Sequence, residues 1–160
     1  MASSDEQKAD TRTRRQQTPL RARILGFGSL VPLAALVALA VLDGGGALEA
    51  EEAETAIVTY ALMLVVFQSG VRSGHAIGSF GIAPVALAGL AALIASVALL
   101  FAPAAVALGV TALGLAAQGA HDVWSSERGR LPPWFGRLRI QTASLAVLLT
   151  VAALLVVEGS

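Results

Sequence analysis

"IAPVALAGLAALIASVALLFAPAAVALGVTALGLAAQGAH", residues 82–121, decides how this chain is threaded. A helix crossing a hydrocarbon core of about 30 Å needs about 20 residues. This run is about twice that long, and Pro103 divides it. It therefore reads as two spans, 82–101 and 104–121, and not as one. Three further apolar runs flank the pair. "ILGFGSLVPLAALVALAVL" covers Ile24–Leu42, "AIVTYALMLVVFQSGV" covers 56–71, and a last run covers 140–157. Pro32 inside the first should bend the helix without abolishing it, because lipid leaves the backbone few alternatives to a helix.

The positive charges test this count. Orientation follows the Lys and Arg bias, which marks cytoplasmic flanks. With five spans and the N-terminus inside, Lys8, Arg12, Arg14, Arg15, Arg21 and Arg23 lie inside. So do Arg72, Arg128, Arg130, Arg137 and Arg139, while the acidic stretch 43–55 with Glu49, Glu51, Glu52 and Glu54 lies outside. Merging 82–121 into one span would put four arginines on the wrong side. Removal of the first run as a signal sequence would leave four spans in the same orientation. The expectation is an all-α integral membrane helical bundle over residues 24–157. It has five transmembrane helices, a cytoplasmic N-terminus, an outside C-terminus, and a disordered basic tail over 1–23.

Composition agrees and excludes several chemistries. The chain has 56% hydrophobic and only 14% charged residues, with mean hydropathy +0.73, too little polar surface for a soluble domain of 160 residues. The absence of cysteine removes disulfides, thiolate metal sites and cysteine nucleophiles. The Ala- and Leu-rich runs read as a high-GC bacterial chain of the inner membrane. "GVRSGHAIG", 70–78, lacks the Lys-Ser/Thr ending and the strand-to-helix setting of a phosphate loop. No nucleophile elbow accompanies the Ser and His residues. The basic tail is short and without aromatics, so no nucleic-acid partner is expected.

The chemistry-bearing residues gather at the cytoplasmic ends of the spans. Gln118, His121 and Asp122, spaced i, i+3, i+4, share one face of the fourth span. With Arg72 and His75 they form a candidate pore or ligand cluster, for a proton or a weakly held metal. The plainer reading puts His121 and Asp122 in water at headgroup level and lets Gln118 bond a neighbouring helix. His75 and His121 as axial haem ligands are a further alternative, and no cofactor is otherwise expected. Trp124 and Trp134 bracket an Arg-rich loop and read as interface anchors, with Arg128, Arg130, Arg137 and Arg139 facing anionic lipid. Pro132–Pro133 suggests the opening of a short interfacial helix. The outer Glu run reads as a solvated helix start, with cation gathering as the alternative.

At this loop the chain resembles a group of small, uncharacterised multi-span bacterial membrane proteins of actinobacterial type. Their pattern is roughly His-Gly-x-Trp-Asp, a His pair, then Val-Pro-x-Trp-Tyr. Gly119, Asp122, Pro133 and Trp134–Phe135 match it. Gln118 stands in place of the His, His121 in place of the Trp, and Ser125–Ser126 in place of the His pair. The resemblance covers residues 118–135 and implies a membrane fold with no known activity.

Small residues at four-residue spacing let membrane helices approach closely. Ala88, Ala92 and Ser96 in the third span, and Ala105, Gly109, Ala112 and Ala116 in the fourth, predict a tight hairpin around Pro103. Gly70, Gly74 and Gly78 would align as a packing face, near Gly119, if the second span continues through them. The fifth span is bulkier and is expected to face lipid over much of its surface. Three function classes follow. A structural or accessory subunit, self-associating or within a larger complex, is favoured. A small oligomeric transporter or channel and a haem- or metal-binding redox protein are the alternatives.

Overall fold

The computed structural model describes residues 18–42, 49–77 and 82–159. The basic tail up to Gln17, the glycine breaker after Asp43 and Gly78 lie outside the described residues. The chain is all-α. Its helices are α1 (Leu20–Gly28), α2 (Val31–Leu42), α3 (Ala50–Ile77), α4 (Ile82–Phe101), α5 (Ala104–Glu127) and α6 (Pro133–Gly159).

Among the described residues four segments are long and apolar enough to cross a membrane: Leu20–Leu42, Glu51–Arg72, Ala104–Glu127 and Pro133–Glu158. The Gly89–Phe101 part of α4 is a shorter apolar stretch. Outward-facing leucines are bare. Leu113 is 74% exposed, Leu148 66% and Leu155 67%, exposures that suit lipid and not water.

The first apolar run breaks into α1 and α2 just before Pro32, at Ser29–Leu30. Ser29 turns back locally, its hydroxyl donating to the Gly26 carbonyl at 2.8 Å. The Tyr60 hydroxyl of α3 donates to the Ser29 carbonyl at 2.9 Å, so the broken backbone keeps a partner inside the bundle. Pro32 then occupies the first turn of α2, where a missing N–H is harmless. α1 starts at Leu20, so Arg21 and Arg23 sit on a helix and not in a tail.

α3 continues beyond the apolar run and through Gly70 and Gly74 to Ile77. Two of its three acidic residues, Glu51 and Glu52, occupy the first turn, where the helix dipole favours negative charge. α6 begins at Pro133 and runs unbroken to Gly159, so the Pro132–Pro133 step opens the last spanning helix itself and no separate interfacial helix precedes it.

The most extensive helix pair is α5 with α6, and the α4–α5 contact around Pro103 is slight by comparison. This corrects the hairpin expected from the alanine stripes. The buried positions of α5 are Ala107, Leu108, Thr111, Leu115, Gly119, Asp122 and Ser125. Ala105 and Ala112 are half-buried and Ala116 is exposed, while a Cβ placed on Gly109 would meet nothing within 4 Å. The close approach lies instead at Gly119, where a Cβ would sit 2.6 Å from the Ala143 Cβ of α6, and at Gly136, 2.7 Å from the Ser126 Cβ. α6 is correspondingly a central element, burying Leu138, Thr142, Ala146, Thr150 and Ala153 while its opposite face is open.

Gly70 and Gly74 have nothing within 4 Å of a Cβ, and α3 meets α5 through Val65 and Gly114 instead. The Ala88 side chain lies outside the described residues; Ala92 is half-buried and Ser96 exposed, its hydroxyl bonded to the Ala92 carbonyl.

Candidate functional site

α3 and α5 run parallel, so Val65, Gln68, Ser69 and Arg72 on one face the series Gln118, His121, Asp122 and Ser125 on the other. Both series have the spacing i, i+3, i+4, i+7 of a single helix face. α6 runs antiparallel to α5 and brings Arg139 to the same level.

Asp122 is fully buried. Arg139 Nε donates to its Oδ2 at 2.5 Å, and Arg72 Nη1 lies 3.4 Å from its Oδ1. Arg139, itself 5% exposed, also donates from Nη2 to the Gln68 carbonyl at 3.4 Å. One carboxylate thus serves two guanidiniums on two different helices. A buried charge is tolerable only when paired and hydrogen-bonded, and this pairing ties α3, α5 and α6 together at one end.

Gln118 Nε2 donates to Ser69 Oγ at 2.6 Å, and Ser69 donates in turn to the Val65 carbonyl at 2.9 Å. Gln118 Oε1 is buried and has no hydrogen-bond partner among the described residues. Arg72 Nη2 approaches His121 Nε2 at 3.2 Å. A guanidinium has no acceptor to offer, so Nε2 must carry the lone pair. The ring proton of neutral His121 then sits on Nδ1 and faces Ser125 Oγ at 3.2 Å. Both ring nitrogens are engaged, and the edge of Trp124 closes on the ring at 5.7 Å between centroids.

A cleft of about 500 Å³ opens beside this cluster. Leu62 and Val65 of α3, Leu90 and Ile94 of α4, and Val110 and Gly114 of α5 line its apolar length. Ser69, Arg72, Gln118 and His121 form its polar end. That volume falls within the range of about 300–1,000 Å³ seen for small-molecule sites.

A model of the DUF3429 family, described as proteins of unknown function, matches residues 18–155. The chain belongs to that family. Comparison with curated proteins and with solved structures finds no match.

In this DUF3429 chain Gln118, His121, Asp122 and Arg72 come together; the His75 side chain lies outside the described residues. Asp122 is not in water at headgroup level, as the plainer reading had it, but sealed between arginines. Arg139 does not face lipid. Its neighbours show why the sequence hid it: Phe135, Leu138, Thr142 and Ala146 share its buried face, and Arg137, two residues away, is exposed. The usable signal was Asp122 itself, a carboxylate deep in an apolar helix that needs a cation at its level. Of the other arginines near Trp124, Arg128 stacks on its ring at 3.8 Å and Arg130 at 5.8 Å, both exposed at the α5–α6 turn. Trp134 is half-buried and meets Phe135 edge-on at 5.8 Å. Among the described residues no group of three metal-ligating side chains occurs.

Proposed function

We propose that the chain is a five-span accessory protein of the bacterial inner membrane, with its N-terminus in the cytoplasm and its C-terminus outside, acting through association and not through catalysis or transport. The observation that carries this reading is the distribution of interior polar groups. They gather at one end, where Asp122, Arg139, Arg72 and His121 contact one another and Gln118 bonds Ser69. The rest of the interior is aliphatic, with Leu33, Ile57, Ala61, Leu108, Ala146 and Ala153 fully or almost fully buried. The two threonines there, Thr111 and Thr150, bond the carbonyls of Ala107 and Ala146 on their own helices. Among the described residues no polar path leads across, whereas transporter sites tend to lie near the midplane.

The span count rests on helix direction. The parallel course of α3 and α5 supports a return across the bundle between them, which this reading assigns to α4. Its twenty residues give about 30 Å of helix. Orientation rests on charge. The end holding Arg72 and Arg139 also holds Arg128, Arg130 and Arg137, and α1 brings Arg23 there through the Gly26–Thr142 contact. The opposite end holds the Glu-rich start of α3.

The test is reconstitution of the full chain into liposomes. Proton and potassium leakage should equal that of protein-free vesicles, and mild-detergent extracts of native membranes should yield an assembly larger than the 16.3 kDa chain. A flux that Gln118→Ala or His121→Ala abolishes in a folded protein would overturn the reading in favour of a pore.

A further inference from the structure

The cleft between α3, α4 and α5 has two chemically different ends, and each carries a mark of something that fits it. From Arg72 back to Leu62 on α3, and from His121 back to Val110 on α5, the lining runs for about 15 Å at 1.5 Å per residue. That is the hydrocarbon depth of one leaflet, half of about 30 Å. The polar end is short of negative charge. Asp122 is shared between Arg72 and Arg139, which among the described residues leaves one guanidinium charge uncompensated. The neutral His121 ring adds none, and Glu127 lies beyond, exposed beside Arg128. Residues 73–88, which connect α3 to the cleft-lining part of α4, contain no Asp or Glu that could supply the missing charge. Gln118 Oε1 at the same end is a buried acceptor lacking a donor among the described residues, as is Asp122 Oδ1, which Arg72 meets as an ion pair at 3.4 Å and not as a hydrogen bond.

We propose that this cleft seats one anionic phosphoglycerolipid of the cytoplasmic leaflet, with an acyl chain along its apolar length and the phosphoglycerol head at Arg72 and Gln118. The phosphate meets the uncompensated charge of Arg72, whose side chain keeps 18% of its surface open. A hydroxyl of the glycerol head supplies the donor that Gln118 Oε1 lacks, which a choline head has no group to do. The proposal rests on the membrane-spanning reading and extends it, since the bound lipid balances the one net positive charge of the Arg72–Asp122–Arg139 cluster.

The experiment uses the full chain purified in neutral detergent and offered equal amounts of phosphatidylglycerol and phosphatidylcholine, with retained lipid read by native mass spectrometry. One phosphatidylglycerol per chain should be retained in preference. Arg72→Gln leaves Asp122 in a one-to-one pair with Arg139, and Ala117→Phe fills the cleft from an exposed lining position without touching the charges. Each should lower retention about fivefold or more. Arg128→Gln, which removes an exposed charge at the α5–α6 turn, should leave retention unchanged. Equal retention of both lipids, or undiminished retention in Ala117→Phe, would overturn the proposal. So would loss of retention in Arg128→Gln alone, which would place the lipid on the general basic surface. Recovery of the protein from the soluble fraction of cells would sink the membrane reading first, and the lipid site with it.

Discussion

Asp122 is the residue on which the interior charge balance turns. Removing one member of a buried ion pair leaves the other unpaired, at a cost of about 3–5 kcal/mol. Asp122→Asn leaves the buried Arg139 and the part-buried Arg72 without a carboxylate and should lower stability by about that amount, measured by denaturant or thermal unfolding in detergent. Arg139→Gln should cost less, because Arg72 still lies within reach of Asp122. The double variant Asp122→Asn/Arg139→Gln should recover part of the loss, and strict additivity would show that the pair is not coupled. Gly119 offers an independent test at the same interface. A methyl there would stand 2.6 Å from the Ala143 Cβ, too close for α5 and α6 to keep their separation. Gly119→Ala should destabilise by about 1–3 kcal/mol, and adding Ala143→Gly should return most of it. A Gly119→Ala protein that melts like the wild type would mean the two helices do not pack as described.

The helices differ in how much of them hydropathy could reveal. Their apolar cores were plain in the sequence, because about 20 residues of Ala, Leu and Val have little else to form in lipid. Their ends were not, and the reason is specific. Arg72 on α3 and Arg139 on α6 are charged residues turned inward, and the apolar runs read from the sequence, 56–71 and 140–157, stop one residue short of each. The helix interfaces were hidden for a different reason. In an alanine-rich chain small residues occur on lipid-facing and packed faces alike, so the stripe through Ala105, Gly109, Ala112 and Ala116 looked like an interface. The buried one, Thr111, Leu115 and Gly119, has mixed sizes. Gly70 and Gly74 illustrate the same ambiguity at the end of α3. Among the described residues nothing lies within 4 Å of a Cβ at either, so Gly70→Ala and Gly74→Ala should each raise stability of the isolated chain by about 0.5–1 kcal/mol through helix propensity. A loss of stability, with dissociation on native gels, would show that this face is covered by another copy.

For the whole molecule, a helical bundle with membrane-length apolar helices was legible in the sequence, and the expected threading rests on two independent regularities, the lengths of the apolar runs and the sign of the charges between them. The polar cluster was legible only in part: Gln118, His121 and Asp122 share a face by spacing alone, but no single sequence shows which arginines reach them. The structure supplies what spacing lacks, the parallel course of α3 and α5, and this makes the topology testable. The native chain has no cysteine, so single cysteines introduced at Glu51, Arg128 and Glu158 can be probed one at a time with a membrane-impermeant maleimide. Four crossings separate position 51 from position 158 if α4 spans, and three if it does not. Glu51→Cys and Glu158→Cys should therefore both react in intact spheroplasts, and Arg128→Cys only after lysis. Reaction at 51 and 128 together, with 158 protected, would mean that α4 does not cross. The parallel pairing of α3 with α5 could not then hold, because Arg72 and Asp122 would lie at opposite ends of the bundle. One labelling pattern thus tests the span count and the Arg72–Asp122 ion pair at once.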